Sequence, residues 1–165
     1  MPNASIANTE IYAPLLTKHM IKWHIDTFEQ ATAFIANVGH ESGELKYTEE
    51  IASGAAYEGR KDLGNTEPGD GKRYKGRGLI QLTGRTNYLL MGLMLDQDFI
   101  NNPTLLMQPE FASESAAAFW WNNYLDKVAT SASKFITVVK RINGGTNGID
   151  HREQLYKNAR KVLAE

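Results

Sequence analysis

The chain has no cysteine among its 165 residues. That excludes a disulfide scaffold, a thiolate zinc site and a cysteine nucleophile, and leaves the redox compartment open. It also lacks any run of 18 apolar residues, so no segment is expected to cross a membrane. The first twenty residues, MPNASIANTEIYAPLLTKHM, show no basic stretch ahead of an apolar one, so a standard secretory signal is not expected. An excess of one charge is missing too. Eighteen Lys and Arg stand against nineteen Asp and Glu, a formal net charge of −1. Binding held by nucleic-acid phosphates needs a concentrated positive field, so nucleic acid is not an expected partner. No repeat, low-complexity tract or linker divides the chain. At this length one core is expected, giving a single domain over residues 1–165, read as a monomer.

Glycine is abundant and unevenly placed. Seven of the fourteen lie in the 25 residues from Gly54 to Gly78, which marks a long loop in the middle of the domain. The flanks have helical periodicity. A first helix is expected from about Asn8 to His24, with Ile11, Leu15, Met20 and Trp23 on one side. Thr27-x-x-Gln30 is a capping-box pattern, followed by a stripe of Phe28, Ala31, Ile35 and Val38 that ends near Gly39–Gly43. Leu79–Leu82 reads as a short strand or extended piece before a helix from about Gly84 to Asp96. Pro109 suits the first turn of a helix with Ala112, Ala116, Phe119 and Trp120 on one face. Phe135, Val138, Val139 and Ile142 stop at Gly144-Gly145. A last helix opens at Asp150-x-x-Glu153, with Leu155, Ala159 and Val162 facing inward. The fold class is therefore mainly α, with a glycine-rich loop or small β element around residues 50–82.

Spacing removes several chemistries. A phosphate loop ending in Gly71-Lys72 needs glycine where Thr66 stands and a hydroxyl residue where Arg73 stands. Gly76-Arg77-Gly78 fails as a dinucleotide fingerprint because Gln81 occupies the third glycine position. His40-Glu41 has Glu44 where a zinc protease needs its second histidine, and neither a metal nor a cofactor is expected. No Gly-x-Ser-x-Gly elbow is present. What remains is carboxylate chemistry. Glycoside hydrolysis needs one protonated carboxyl for the leaving oxygen and one ionised carboxylate for the water. Glu41 follows an apolar run at a helix C-terminus, where desolvation and the helix dipole both disfavour charge, as suits an acid. Glu49 and Glu50 open the polar loop, where a carboxylate stays ionised as a base must. The residues alone do not choose between them.

The segments Phe34–Gly43, with its His40-Glu41-Ser42 core, and Tyr74–Tyr88, with its Gly-Arg-Gly-x-Ile-Gln-Leu-Thr-x-x-x-Asn-Tyr pattern, closely resemble glycoside hydrolase family 19. That is the family of plant chitinases and many bacteriophage endolysins. Ile142-Asn143-Gly144-Gly145 and Arg152 are similar to its late elements, so the resemblance runs from about Phe28 to Tyr156. It implies a lysozyme-like or chitinase-like helical fold, with Glu41 as general acid, Glu50 in preference to Glu49 as general base, and Thr83 holding the attacking water. It further implies Gln81, Asn87, Asn143 and Arg152 as groups that bind sugar or orient a carboxylate. Tyr47 and Tyr74 are candidate cleft linings, whereas Trp120 is assigned to the core.

The chain is most similar to the compact endolysin branch, because it lacks the plant disulfides and has only 25 residues between Glu50 and Gly76. The implied substrate is peptidoglycan glycan strands. The alternatives are a chitinase and a non-catalytic glycan-binding domain. The resemblance also implies synthesis in a host bacterial cytoplasm and action in the periplasm after release by a holin-type pore. The last helix carries Arg152, Lys157, Arg160 and Lys161, a basic face that would suit weak contact with an outer membrane.

Overall fold

The computed structural model describes all 165 residues, and the fold it gives is helical throughout. Helix α1 spans Ile6–Lys22 and starts at Ser5, whose hydroxyl accepts from the Asn8 amide at 3.1 Å. Its inward residues are Tyr12, Leu16 and His19, one turn apart. The expected stripe through Ile11 is rotated, and Ile11 is exposed. His19 takes its place inside the protein, where its Nε2 hydrogen-bonds Glu110 at 3.0 Å.

Helix α2, Phe28–Glu41, begins where Thr27 accepts from the Gln30 amide, as the capping pattern predicts. It buries far more than one stripe: Ala33, Phe34, Ala36, Asn37 and Val38 are all inside. Phe28, at its first turn, is partly exposed. An amphipathic reading assumes one covered face, and α2 is covered from several sides. Its most extensive partner is the last helix, α8, Ile149–Leu163.

The glycine-rich segment carries 3-10 turns at Ala55–Tyr57 and Lys61–Leu63 and a single helical turn, α3, Asp70–Arg73. The expected strand at Leu79–Leu82 is absent. Gly78 and Gln81 both adopt positive φ, 79° and 56°, which breaks an extended run at each end. The β element reduces to two isolated bridges, Glu49 with Arg77 and Arg77 with Leu82. They stitch the chain entering the loop to the chain leaving it.

Helix α4, Arg85–Leu95, follows, then α5, Pro109–Asn122, with proline in its first turn as expected. Every residue from Ala112 to Ala118 is buried, so α5 runs through the middle of the molecule. Alanine there lets neighbouring backbones approach closely. Ala112, Ala116, Ala117 and Trp120 serve the larger core, where Trp120 meets Phe34 edge-on at 5.6 Å. Ala118 serves a smaller one with Tyr74, Tyr88, Met91 and Phe99. After the short α6, Leu125–Val128, helix α7 spans Phe135–Asn143, buries Phe135, Val138 and Val139, and stops at Gly144 with φ 78°. In α8, Leu155 and Ala159 face inward as expected, but Val162 is exposed on the final turn.

The basic face expected of α8 is smaller than its sequence suggests. Arg152 is buried, and Arg160 pairs with Glu29 at 2.5 Å. Lys157 and Lys161 remain exposed. No helix is long and apolar enough to cross a membrane.

Candidate active site

A polar cleft of about 310 Å³ opens where the end of α2, the turn before α4, the end of α7 and the start of α8 meet. Glu41, Gln81, Thr83, Asn87, Asn143 and Arg152 all line it. Residues far apart in sequence thus share one cavity.

Glu41 sits at the last residue of α2, and its Oε1 accepts from Arg152 Nη2 at 2.5 Å. The partly desolvated carboxyl expected at this helix end has a buried guanidinium as its partner. Arg152 is held from three sides, giving its Nη1 to Asn37 Oδ1 at 2.7 Å and its Nε to the Asn147 carbonyl at 3.1 Å. Asn37 in turn donates to the Ala33 carbonyl within α2. A guanidinium fixed by three acceptors cannot wander, so the acid it touches has a defined position.

Glu50 does not itself line this cavity; it lies behind Gln81 and Thr83 in a backbone pairing with Gly76, its amide donating to the Gly76 carbonyl at 2.9 Å. Gly76 makes the local geometry possible. A Cβ there would fall 2.9 Å from Glu50 Oε2, 3.1 Å from Gln81 Oε1 and 3.4 Å from Thr83 Oγ1. Three polar groups therefore converge on one point that only glycine leaves open. Tyr57 donates its hydroxyl to Glu50 Oε2 at 2.9 Å, while Glu50 Oε1 is buried with no protein partner. Burial, followed by the neighbouring Glu50 carboxylate, pushes the Tyr57 phenol up, so it stays a donor. Thr83 gives its hydroxyl proton to the Gln81 carbonyl at 3.0 Å, which leaves its oxygen lone pairs free to accept. Gln81 itself is held at positive φ, its side-chain amide donating to the Gly78 carbonyl.

Glu49 has a different occupation. Arg77 Nε meets it at 2.8 Å and Lys75 Nζ at 3.1 Å. Burial pushes this carboxyl up, but the hydrogen bonds and charges of Arg77 and Lys75 outweigh that and hold it below the usual range. It braces the bridge at Arg77, which also reaches the Tyr88 hydroxyl at 3.0 Å.

Of the remaining candidates, Asn87 donates to the Thr83 carbonyl at 2.7 Å and Asn143 to the Asn147 carbonyl at 3.2 Å. Tyr74 is no cleft residue. It is 1% exposed, packs edge-on against Tyr88 and donates to the Ile100 carbonyl. Tyr47 also lies off the cleft wall, its ring against Gly43 with the Lys46 ammonium above it. Both tyrosines follow or precede charged residues in polar sequence, and nothing local signals that one is core. Three residues were missed: Tyr57, Asn37 and His40. His40, next to the acid, carried a signal in its position within the His40-Glu41 pair.

The chitinase class I family model matches residues 20–144. The chain belongs to glycoside hydrolase family 19. A glycosyl hydrolase family 19 domain-containing protein of Haemophilus influenzae is 31% identical over 159 residues, covering 78% of this chain and 77% of that one. An endochitinase of Arabidopsis thaliana is 33% identical over 116 residues, 70% of this chain, which spans only 40% of the plant protein's length. Chitinase C of Streptomyces griseus shares the fold, with a TM-score of 0.72 at 22% identity, covering 98% of this chain and 76% of that one. This family 19 chain is thus a glycoside hydrolase.

Proposed function

We propose that this family 19 domain hydrolyses the β-1,4 glycosidic bonds of bacterial peptidoglycan by inversion, as an endolysin of the muramidase type. The observation that carries the chemistry is the convergence of Glu50 Oε2 with Gln81 and Thr83 over Gly76, since Gln81 and Thr83 line the cleft that also holds Glu41 and Arg152. In this reading Glu41 protonates the glycosidic oxygen, and Arg152 receives the carboxylate that results. Glu50 takes a proton from a water that Thr83 Oγ1 orients, and that water attacks the anomeric carbon from the opposite face. An inverting pair needs room for the water, about 6.5–9.5 Å between carboxyls. Tyr57 steadies Glu50 through Oε2, the oxygen that shares the space over Gly76 with Gln81 and Thr83.

The substrate class is supported by what is missing between the walls. Only 25 residues join Glu50 to Gly76. A shorter rim suits a glycan bearing peptides. The polar groups of the cleft include Gln81, Asn87, Asn143 and Asn147, neutral side chains suited to sugar hydroxyl and acetamido groups. In this role the protein acts as a monomer on wall exposed after holin-type release.

Digestion of purified peptidoglycan, followed by borohydride reduction and mass spectrometry, tests the proposal. Reduced muramic acid ends are expected. Reduced glucosamine ends would make it a glucosaminidase, and anhydro ends a transglycosylase. Chitinase is the second reading, favoured by the endochitinases among its relatives, and faster release from chitin oligomers than from wall would establish it. Wall binding without turnover would leave a glycan-binding domain.

A further inference from the structure

We propose that His151 and Glu44 fix the tautomer of His40, so that His40 presents an unprotonated Nε2 to the cleft as the acceptor for a hydrogen-bond donor of the bound sugar. The inference rests on the active-site reading above and adds to it a substrate-binding group. His40 lines the cleft beside Glu41. Its Nδ1 lies 3.0 Å from Nδ1 of His151, and the other ring nitrogen of His151 lies 3.4 Å from Glu44 Oε1. Glu44 is buried and anchored by two donors of Asn3, the backbone amide and the side-chain amide, both at 2.8 Å.

The proton count follows from those contacts. A carboxylate only accepts, so the proton of a neutral His151 sits on Nε2 and its Nδ1 carries a lone pair. Two lone pairs at 3.0 Å would repel, so His40 must supply the proton between them from Nδ1. Its Nε2 is then bare, the ring's hydrogen bond within the protein being the one at Nδ1. The ring is seated by Gly148, where a Cβ would collide with His40 Cε1 and Nε2. Burial, then the Arg152 guanidinium, push the His40 imidazole down, with Glu41 opposing and His151 adding to the effect, so the ring stays neutral near pH 7. Sugars beside the scissile bond offer two kinds of donor, an acetamido N–H and hydroxyl groups.

The test is nitrogen-15 NMR of the full chain at pH 7.5, which reads the tautomer without requiring turnover. His40 is expected as the Nδ1–H form, and an Nε2–H signature in the wild type overturns the proposal. His151→Phe should release His40 to the ordinary Nε2–H form, whereas His151→Asn, whose amide oxygen can accept, should preserve Nδ1–H. Titration with the N-acetylglucosamine tetramer should shift His40 Nε2 in the wild type. Titration with its deacetylated counterpart separates the donors, since lost shift assigns the acetamido group and retained shift a hydroxyl or the free amine. No shift with either overturns the contact, even if the protein hydrolyses neither. On a hydrolysed substrate His151→Phe should raise KM about tenfold with kcat within threefold, and His151→Asn should restore KM. An unchanged KM alongside a switched tautomer would also overturn it.

Discussion

Glu49 and Glu50 are neighbours in the chain with unlike surroundings. Glu49 is spent on Arg77 and Lys75, while Glu50 turns Oε2 toward the space it shares with Gln81 and Thr83. Glu50→Gln should therefore lower kcat by about 10²–10⁴-fold with little loss of stability, the range of a general base. Glu49→Gln should do the reverse, costing about 1–2 kcal/mol in chemical denaturation and leaving kcat within a few fold. Steady-state kinetics beside urea melts would expose an exchange of roles. Glu41→Gln should also lose about 10²–10⁴-fold, because the isostere keeps the Arg152 contact and has no proton to give. The role proposed for Glu50 was not readable from the residues around it. Its competitor is neutralised by a partner 28 positions away, and Tyr57 acts from within a loop that shows no periodicity. Asn37 was invisible for the opposite reason, since a polar residue in an apolar helix looks like an interruption until its arginine is seen.

At the level of elements, the helices were legible and the middle of the chain was not. Apolar spacing reports burial on one face, so α7 agreed with expectation, whereas α2 and α5, buried from several sides, exceeded it. Leu79–Leu82 is apolar enough for a strand, but its backbone is bent by Gly78 and by Gln81, a residue whose type does not announce positive φ. That bend carries Gln81 and Thr83 to the cleft. The turn offers a direct test. Gly76 is not among the positions of positive φ, so alanine is tolerated by its backbone, yet the new methyl enters the space between Glu50, Gln81 and Thr83. Gly76→Ala is expected to melt close to wild type and to lose at least tenfold in kcat. A normal kcat would detach those three groups from catalysis.

For the molecule as a whole, ionisation and stability are tied together. Arg77 and Lys75 overcome burial at Glu49, and the Asn3 donors do so at Glu44, while the Arg85 bonds hold Asp70 low and the Lys18 bond holds Glu110 low. Carboxyls depressed on folding contribute stability above their unfolded range near pH 4 and lose it as pH falls through the folded values. Burial, the larger influence at His19 and at His40, depresses both imidazoles. The unfolded chain then binds more protons below about pH 6.5, which again removes stability on acidification. The melting temperature should therefore fall steadily from pH 7 to pH 3, and a flat profile would contradict these pairings. Packing gives a second expectation. Ala117 is fully buried on the central α5, and Ala117→Leu should cost about 1–3 kcal/mol by overpacking.

Arg152 stands 111 positions after the Glu41 it grips. On a ribosome, the acid and the whole of α2 emerge early and wait while most of the domain is made. Only when α8 has left the exit tunnel can its arginine complete the cleft. Synthesis order thus works as a timer, and an unfinished nascent chain carries its acid without the cation that orients it.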